Sequence, residues 1–172
     1  MHDYSITFAC YNSLAYTKKC VNSLIASRTP MSRVIVVDNG SHDGTQAYLK
    51  AQPFGGVIFN TSNLGCGIAW NQGALVQQAE WTIIMNNDVL VTEDWAKRLI
   101  ESALDLDVKV ISPAMIEGPL DYDFQEFAKE AERGMSGVSR LGAKHAVCLA
   151  VHKSVWEDIG HYHYCLKLQL QQ

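Results

Sequence analysis

An α/β fold, with a mostly parallel central sheet flanked by helices, follows from three observations on this 172-residue chain. Short apolar runs alternate with segments of helical period, the pattern of successive β-α-β units. One run, RVIVVD (33–38), is apolar on both faces, as a strand covered on two sides must be. The length suits one domain, residues 1–172, and 48% hydrophobic and 19% charged residues are values of an ordinary globular core.

The elements are expected in this order. SITFA (5–9) reads as the first strand, followed by a helix over 13–27 with Leu14, Val21, Leu24 and Ile25 on one face. Pro30 breaks the chain before the RVIVVD strand. A short helix over about 44–50 leads to a third strand, GVIFN (56–60). The next helix covers about 66–79, with Ile68, Gln72, Leu75, Val76 and Ala79 at helical spacing. WTIIM (81–85) is the fourth strand. Thr92, followed by Glu93 and Asp94, marks a helix start running to about Leu104. VKVIS (108–112) and HAVCLAV (145–151) are further strands, with a helix over 121–133 between them. SVWEDIG (154–160) is a short helix closed by Gly160.

Composition excludes several function classes. The net charge of -4, with no Lys/Arg run, argues against a nucleic-acid partner. No apolar run reaches the ~20 residues of a membrane span. The N-terminus lacks the basic and long apolar regions of a secretory signal. Cys10, Cys20, Cys66, Cys148 and Cys165 are scattered and odd in number, which predicts buried thiols in a reducing cytoplasm rather than a disulfide framework or zinc site.

Parallel α/β sheets bind ligands at the carboxyl ends of their strands. Those ends here carry Tyr11-Asn12, Asp38-Asn39-Gly40-Ser41, Asn63-Leu64-Gly65 and Asn86-Asn87-Asp88. They suit a ligand rich in hydroxyl and amide groups, with a cation nearby. Asp38 is expected at a strand tip with its carboxylate free to accept from a ring N–H, and Asn39-Gly40 permits the sharp turn that follows. The same stretch also reads as a plain strand-to-helix turn capped by Asp43. NLGCGIAWNQG (63–73) offers Gly65 and Gly67 for close backbone approach, with Asn71 either reaching the rim or solvated on its helix. Trp70 stands where the dinucleotide fingerprint needs its third glycine, which excludes nicotinamide and flavin binding. Asn86-Asn87-Asp88 is either an Asx-rich turn or a site for a hard divalent cation, which takes oxygen ligands. The late pair His161 and His163 could share a strand face and bind metal, or do nothing.

Taken in order, ITFACYN (6–12), VIVVDNGSHDGT (34–45), NLGCGIAWNQG (63–73) and IIMNNDV (83–89) resemble the family 2 glycosyltransferases, with the GT-A fold. The pattern of 63–73 followed by N-N-D is most similar to the rhamnosyltransferase-like branch. The resemblance covers residues 4 to 105 well, and implies a donor-binding half over 1–105 and a partial acceptor half over 106–172. It implies that Asp38, Tyr11 and Asn12 contact the base of a nucleotide-diphosphate sugar of uridine or thymidine type. Asn39, Asn63, Gly65, Gly67, Asn71, Asn86 and Asn87 would complete the donor site, and Asp88 would hold Mn²⁺ or Mg²⁺ against the diphosphate. The implied activity is sugar transfer, with inversion, to a glycan or lipid-linked acceptor of polysaccharide biosynthesis, at the cytoplasmic face of a membrane.

The resemblance breaks after Gly160. Where the family reads like G-x-F-D-E-x-F and then an acidic pair, this chain reads GHYHYCLKLQLQQ. It is expected to be short, altered or divergent there. His161, His163, Asp121 and Asp123 are the candidates left for the general base. A nucleotide-sugar-binding module with little transferase activity is the alternative.

Overall fold

The computed structural model describes residues 2–116, 123–135, 137–140, 142 and 147–160. Its elements are β1 (Tyr4–Cys10), α1 (Leu14–Ala26), β2 (Val34–Asp38), α2 (Thr45–Lys50), β3 (Gly56–Phe59), α3 (Cys66–Val76), β4 (Trp81–Asn86), α4 (Trp95–Asp105), β5 (Val110–Ile111), α5 (Phe124–Met135), β6 (Cys148–His152) and α6 (Lys153–Ile159). The six strands form one sheet in the order β3-β2-β1-β4-β6-β5. β1, β2, β3 and β4 are parallel. β6 runs antiparallel to β4 and to β5. The predicted mostly parallel α/β sheet is therefore present.

Alternation along β1 explains the layering. Ile6, Phe8 and Cys10 point to one face, where they join Cys20, Val21 and Leu24 of α1, Leu49 of α2, and Trp95, Leu99 and Ile100 of α4 in one buried cluster. Ser5 and Thr7 point to the other face, where α3 lies. All five residues of β2 are buried, as an apolar strand covered on both sides requires.

Several expectations need correction. The buried face of α3 is not Ile68, Gln72, Leu75, Val76 and Ala79. It is Gly67, Ala69, Trp70, Asn71, Gly73 and Ala74, while Leu75 and Val76 are exposed. Small residues seat this helix close to the sheet: a Cβ on Gly73 would overlap the Thr7 hydroxyl. α3 also ends at Val76, three residues short of the predicted Ala79. On α1, Ile25 is exposed and the buried row is Thr17, Cys20, Val21, Ser23 and Leu24. Thr92 does not cap α4. Asp94, in a left-handed conformation, precedes the first helical residue, Trp95. Burial sets that start, because Trp95 lies in the core and its Nε1 donates to Thr29 Oγ1 at 3.1 Å. The predicted 108–112 strand shrinks to Val110–Ile111, paired only with β6 at the sheet edge.

Candidate functional site

The strand order reverses around β1: β2 and β3 lie on one side, β4 on the other. This is the topological switch point, where the loops after neighbouring strands diverge and open a crevice. Register places the strand ends on one rim, with Cys10 beside Asp38 and Ala9 beside Asn86. The antiparallel β6 brings its amino end to the same rim, since Cys148 pairs Met85 and Asn86 N donates to Val147 O at 3.0 Å.

The loops after β1 and β2 are tied together by hydrogen bonds. Asn12 N donates to Ser41 Oγ at 2.7 Å, and Asn12 Oδ1 accepts from His42 N at 2.9 Å. Asn12 itself has φ 54, a left-handed turn of the kind asparagine tolerates. Asp43 Oδ2 accepts from Leu14 N at 2.9 Å, so the β2–α2 loop caps the first residue of α1. Its other oxygen accepts from the hydroxyl and the N–H of Thr45 at 2.6 and 3.1 Å. The Thr45 hydroxyl is the main cause that holds this carboxyl below the usual aspartate value.

Asp38 is fully buried. Its Oδ2 accepts from Gly40 N at 3.2 Å, Ser41 N at 3.0 Å and Gln46 Nε2 at 2.9 Å. The carboxylate expected to be free is thus the organiser of the β2–α2 turn, with Oδ1 facing the Cys10 thiol at 3.8 Å. Gly40 follows at φ 81, and a Cβ there would press on the Ser62 backbone at 3.0 Å. That close approach brings the β3–α3 loop against the β2–α2 loop.

Asn39 is also buried. Its Nδ2 donates to Gly65 O at 3.2 Å and its Oδ1 accepts from Asn60 Nδ2 at 2.8 Å. Asn63 Oδ1 accepts from Gly65 N at 2.9 Å, so Gly65, at φ 87, is held from both sides where it opens α3. Gly67 and Asn71 are buried on α3, while Tyr11 stands 47% exposed at the rim.

Across the switch point, β4 ends in Asn86, and Asn87-Asp88 form the turn. Asn87 Nδ2 donates to Thr17 Oγ1 of α1 at 2.9 Å. The Asp88 carboxylate is exposed and makes no hydrogen bond or ion pair among the described residues. Its charge reaches the buried Cys20 thiol, which burial above all, and then Asp88, push up to about 12. Burial likewise pushes Cys148 up to about 12 and raises Cys10, while Cys66 at the start of α3 is exposed, against the expectation of a buried thiol.

The structure brings together Asn12, Asp38, Asn39, Asn63 and Gly65 in one hydrogen-bonded rim. It places Asn86 at the end of the next strand but one from β2, and Asn87 and Asp88 in the turn that follows. Of the candidates for a base, Asp121, His161 and His163 lie outside the described residues. Asp123 Oδ1 accepts from Glu126 N at 3.1 Å, the bond of a helix cap on α5. Sequence reasoning missed Thr17, Asn60 and Gln72. Only Asn60 carried a signal, as the polar residue directly after a strand.

Among the described residues no three His, Cys, Asp or Glu side chains group closely enough to hold a metal ion. No described helix is long and apolar enough to cross a membrane.

Residues 5–152 match the sequence model of Glycosyl transferase family 2. The chain is 24% identical to Glycosyltransferase AglE of Haloferax volcanii, over 91% of this chain and 54% of that protein. Its fold superposes on mannosyltransferase PcManGT from Pyrobaculum calidifontis, in complex with GDP-Man and Mn²⁺, with TM-score 0.68 and 19% identity, over 94% of this chain and 48% of that one. S. aureus TarS 1-349 in complex with UDP-GlcNAc follows with TM-score 0.62 and 15% identity, over 90% of this chain and 46% of that one. The chain spans about half the length, or less, of the relatives it matches. The likenesses show the GT-A fold, and the match over most of the sequence shows that the chain belongs to glycosyl transferase family 2.

Proposed function

We propose that the rim at the β1–β4 switch point binds a nucleotide-diphosphate sugar, and that the protein transfers the sugar to a glycan or lipid-linked acceptor. The carrying observation is the exposed Asp88 carboxylate, without a hydrogen bond or ion pair among the described residues, standing two strands from the hydrogen-bonded turn of Asp38 and Asn39. Two strand spacings are about 10 Å, a gap a nucleoside diphosphate bridges with its base at one end and its phosphates at the other. In this reading Tyr11, Asn12, Asp38 and Asn39 line the base end, and Asn63, Gly65, Gly67 and Asn71 lie along the base and ribose.

The donor set at Asp88 fits Mn²⁺ or Mg²⁺ shared with a substrate. A single carboxylate with neighbouring amides is too little for a closed cage, but such cations bind through one or two carboxylates plus phosphate oxygens and water. Asp88 would be the protein's anionic ligand, with Asn86 and Asn87 beside it. Bound there, the cation supplies Lewis-acid stabilisation of the charge that grows on the leaving diphosphate. The chain's own contribution is to orient the donor and fix the ligand turn through Thr17. Inverting transfer then needs a general base across the sugar from the leaving group. The pyrimidine preference rests on the sequence resemblance. The structural neighbours carry a guanosine and a uridine donor, so the base is best assigned by competition among nucleoside diphosphates.

The test is transfer of labelled sugar from a panel of nucleotide sugars to glycan and lipid-linked acceptors, with donor hydrolysis measured in parallel. Metal-dependent transfer or hydrolysis is expected. No turnover of any donor, together with retained nucleoside-diphosphate binding, would replace the enzyme by a binding module.

A further inference from the structure

Three side-chain amides from three elements form a closed relay behind Gly65. Asn60 Nδ2 donates to Asn39 Oδ1 at 2.8 Å and to Gln72 Oε1 at 2.8 Å. Gln72 Nε2 donates back to Asn60 Oδ1 at 3.0 Å. Both N–H donors of Asn60 and its oxygen are therefore used. The Gly65 carbonyl can only accept, so Asn39 turns its N–H toward it, at 3.2 Å, and its oxygen toward Asn60, and this sets the amides of Asn60 and Gln72 in turn. A flipped Asn39 would set oxygen against oxygen at Gly65. The relay therefore ties a helix residue, Gln72, through Asn60 and Asn39 to a loop carbonyl seven residues upstream.

The relay is partly buried, so its members polarise one another and cannot be exchanged freely for water. Its target is a glycine at φ 87 whose N–H is already held by Asn63. The 63–65 loop is thus held by side chains from the ends of β2 and β3 and from α3. Gly65 itself is exposed, and a Cβ there would meet open space, so the loop is fixed at the surface rather than in the core.

We infer that Asn60 and Gln72 are positioning residues for nucleotide recognition, holding the Asn39 amide and the 63–65 loop in the shape that meets the ligand. This rests on the donor-site reading given above. Neither residue needs to touch the nucleotide, so their loss weakens donor binding and leaves turnover at saturating donor unchanged.

The test is calorimetric titration of the whole chain with uridine, thymidine and guanosine diphosphates in Mn²⁺, alongside thermal melts. Gln72→Leu removes two hydrogen bonds of the relay and is expected to raise the Kd of the preferred nucleotide about tenfold. Gln72→Glu keeps the shape but sets a carboxylate oxygen against Asn60 Oδ1, so it is expected to lose affinity as Gln72→Leu does, whereas a purely packing role for Gln72 predicts that it is tolerated. Asn60→Asp, which loses both donors, matches Gln72→Leu. Wild-type affinity in a folded Gln72→Leu protein would overturn the positioning role. Failure of the wild type to bind any of the three nucleotides would instead overturn the donor site, and this inference with it.

Discussion

Gly73→Ala tests the seating of α3, on which the 63–65 loop depends. The new Cβ would overlap Thr7 Oγ1 and lie 2.8 Å from Thr7 Cβ. Carbon atoms in contact prefer about 3.5–4.0 Å, so α3 must retreat by roughly 1 Å. Overpacking of this kind costs about 1–3 kcal/mol. Alanine in place of glycine within a helix returns about 1 kcal/mol. The expected net loss is up to about 2 kcal/mol, or up to roughly 8 °C in Tm for a chain of this size. Equilibrium urea unfolding measures it, with the slope m unchanged. The Thr7 hydroxyl is buried with no hydrogen-bond partner among the described residues, so Thr7→Ala removes the nearest obstacle without stranding a polar group, while the contact with the residue 7 Cβ remains. In that background Gly73→Ala should cost at least about 1 kcal/mol less, a coupling that marks residues in contact. Equal costs in the two backgrounds, or a gain in the wild type, would refute the close seat.

Other outcomes follow from the same geometry. Asp43 has a lowered folded-state pKa, so it favours the fold above the ordinary aspartate value and loses that contribution as pH falls through the folded one. Asp43→Asn should flatten the fall in Tm between about pH 5 and about pH 3, and an unchanged acid limb would contradict the bonds of Asp43 to Thr45 and Leu14. In a Cys165→Ser background, a thiol reagent should label Cys66 first, because Cys10, Cys20 and Cys148 are buried with raised pKa values. A nucleoside diphosphate should slow that labelling, and equal rates with and without it would place the ligand away from α3. Thr17→Val keeps the side-chain shape but removes the acceptor for Asn87, and should weaken metal-dependent diphosphate binding about three- to tenfold by calorimetry. Unchanged affinity would show that the Asn87 bond does not shape the Asp88 turn.

What the sequence discloses depends on whether the deciding force is local. RVIVVD announced a strand buried on both sides because burial on two faces leaves only apolar residues. The strand-end polar clusters were legible for the converse reason, since a parallel sheet has one edge where polar side chains can gather. The face of α3 was misread because its seat is built from glycine and alanine, which carry no hydrophobic signal, while Leu75 and Val76 do and point outward. The start of α4 was misread because a cap preference of about 1 kcal/mol yielded to burial of Trp95. The direction of β6 is not written in an apolar run at all. The relay of Asn39, Asn60 and Gln72 joins residues 12 to 33 positions apart, and no local pattern could unite them.

The most direct measurement is titration of wild-type and Asp88→Asn protein with nucleoside diphosphate, with and without Mn²⁺. Asp88 is exposed at a rim, so the substitution should leave the thermal midpoint within about 2 °C, as surface changes do. The wild type should bind more tightly with Mn²⁺ than without it, and Asp88→Asn should lose that difference. The same Mn²⁺-dependent gain in both proteins would remove Asp88 from the site and contradict the proposed placement of the donor.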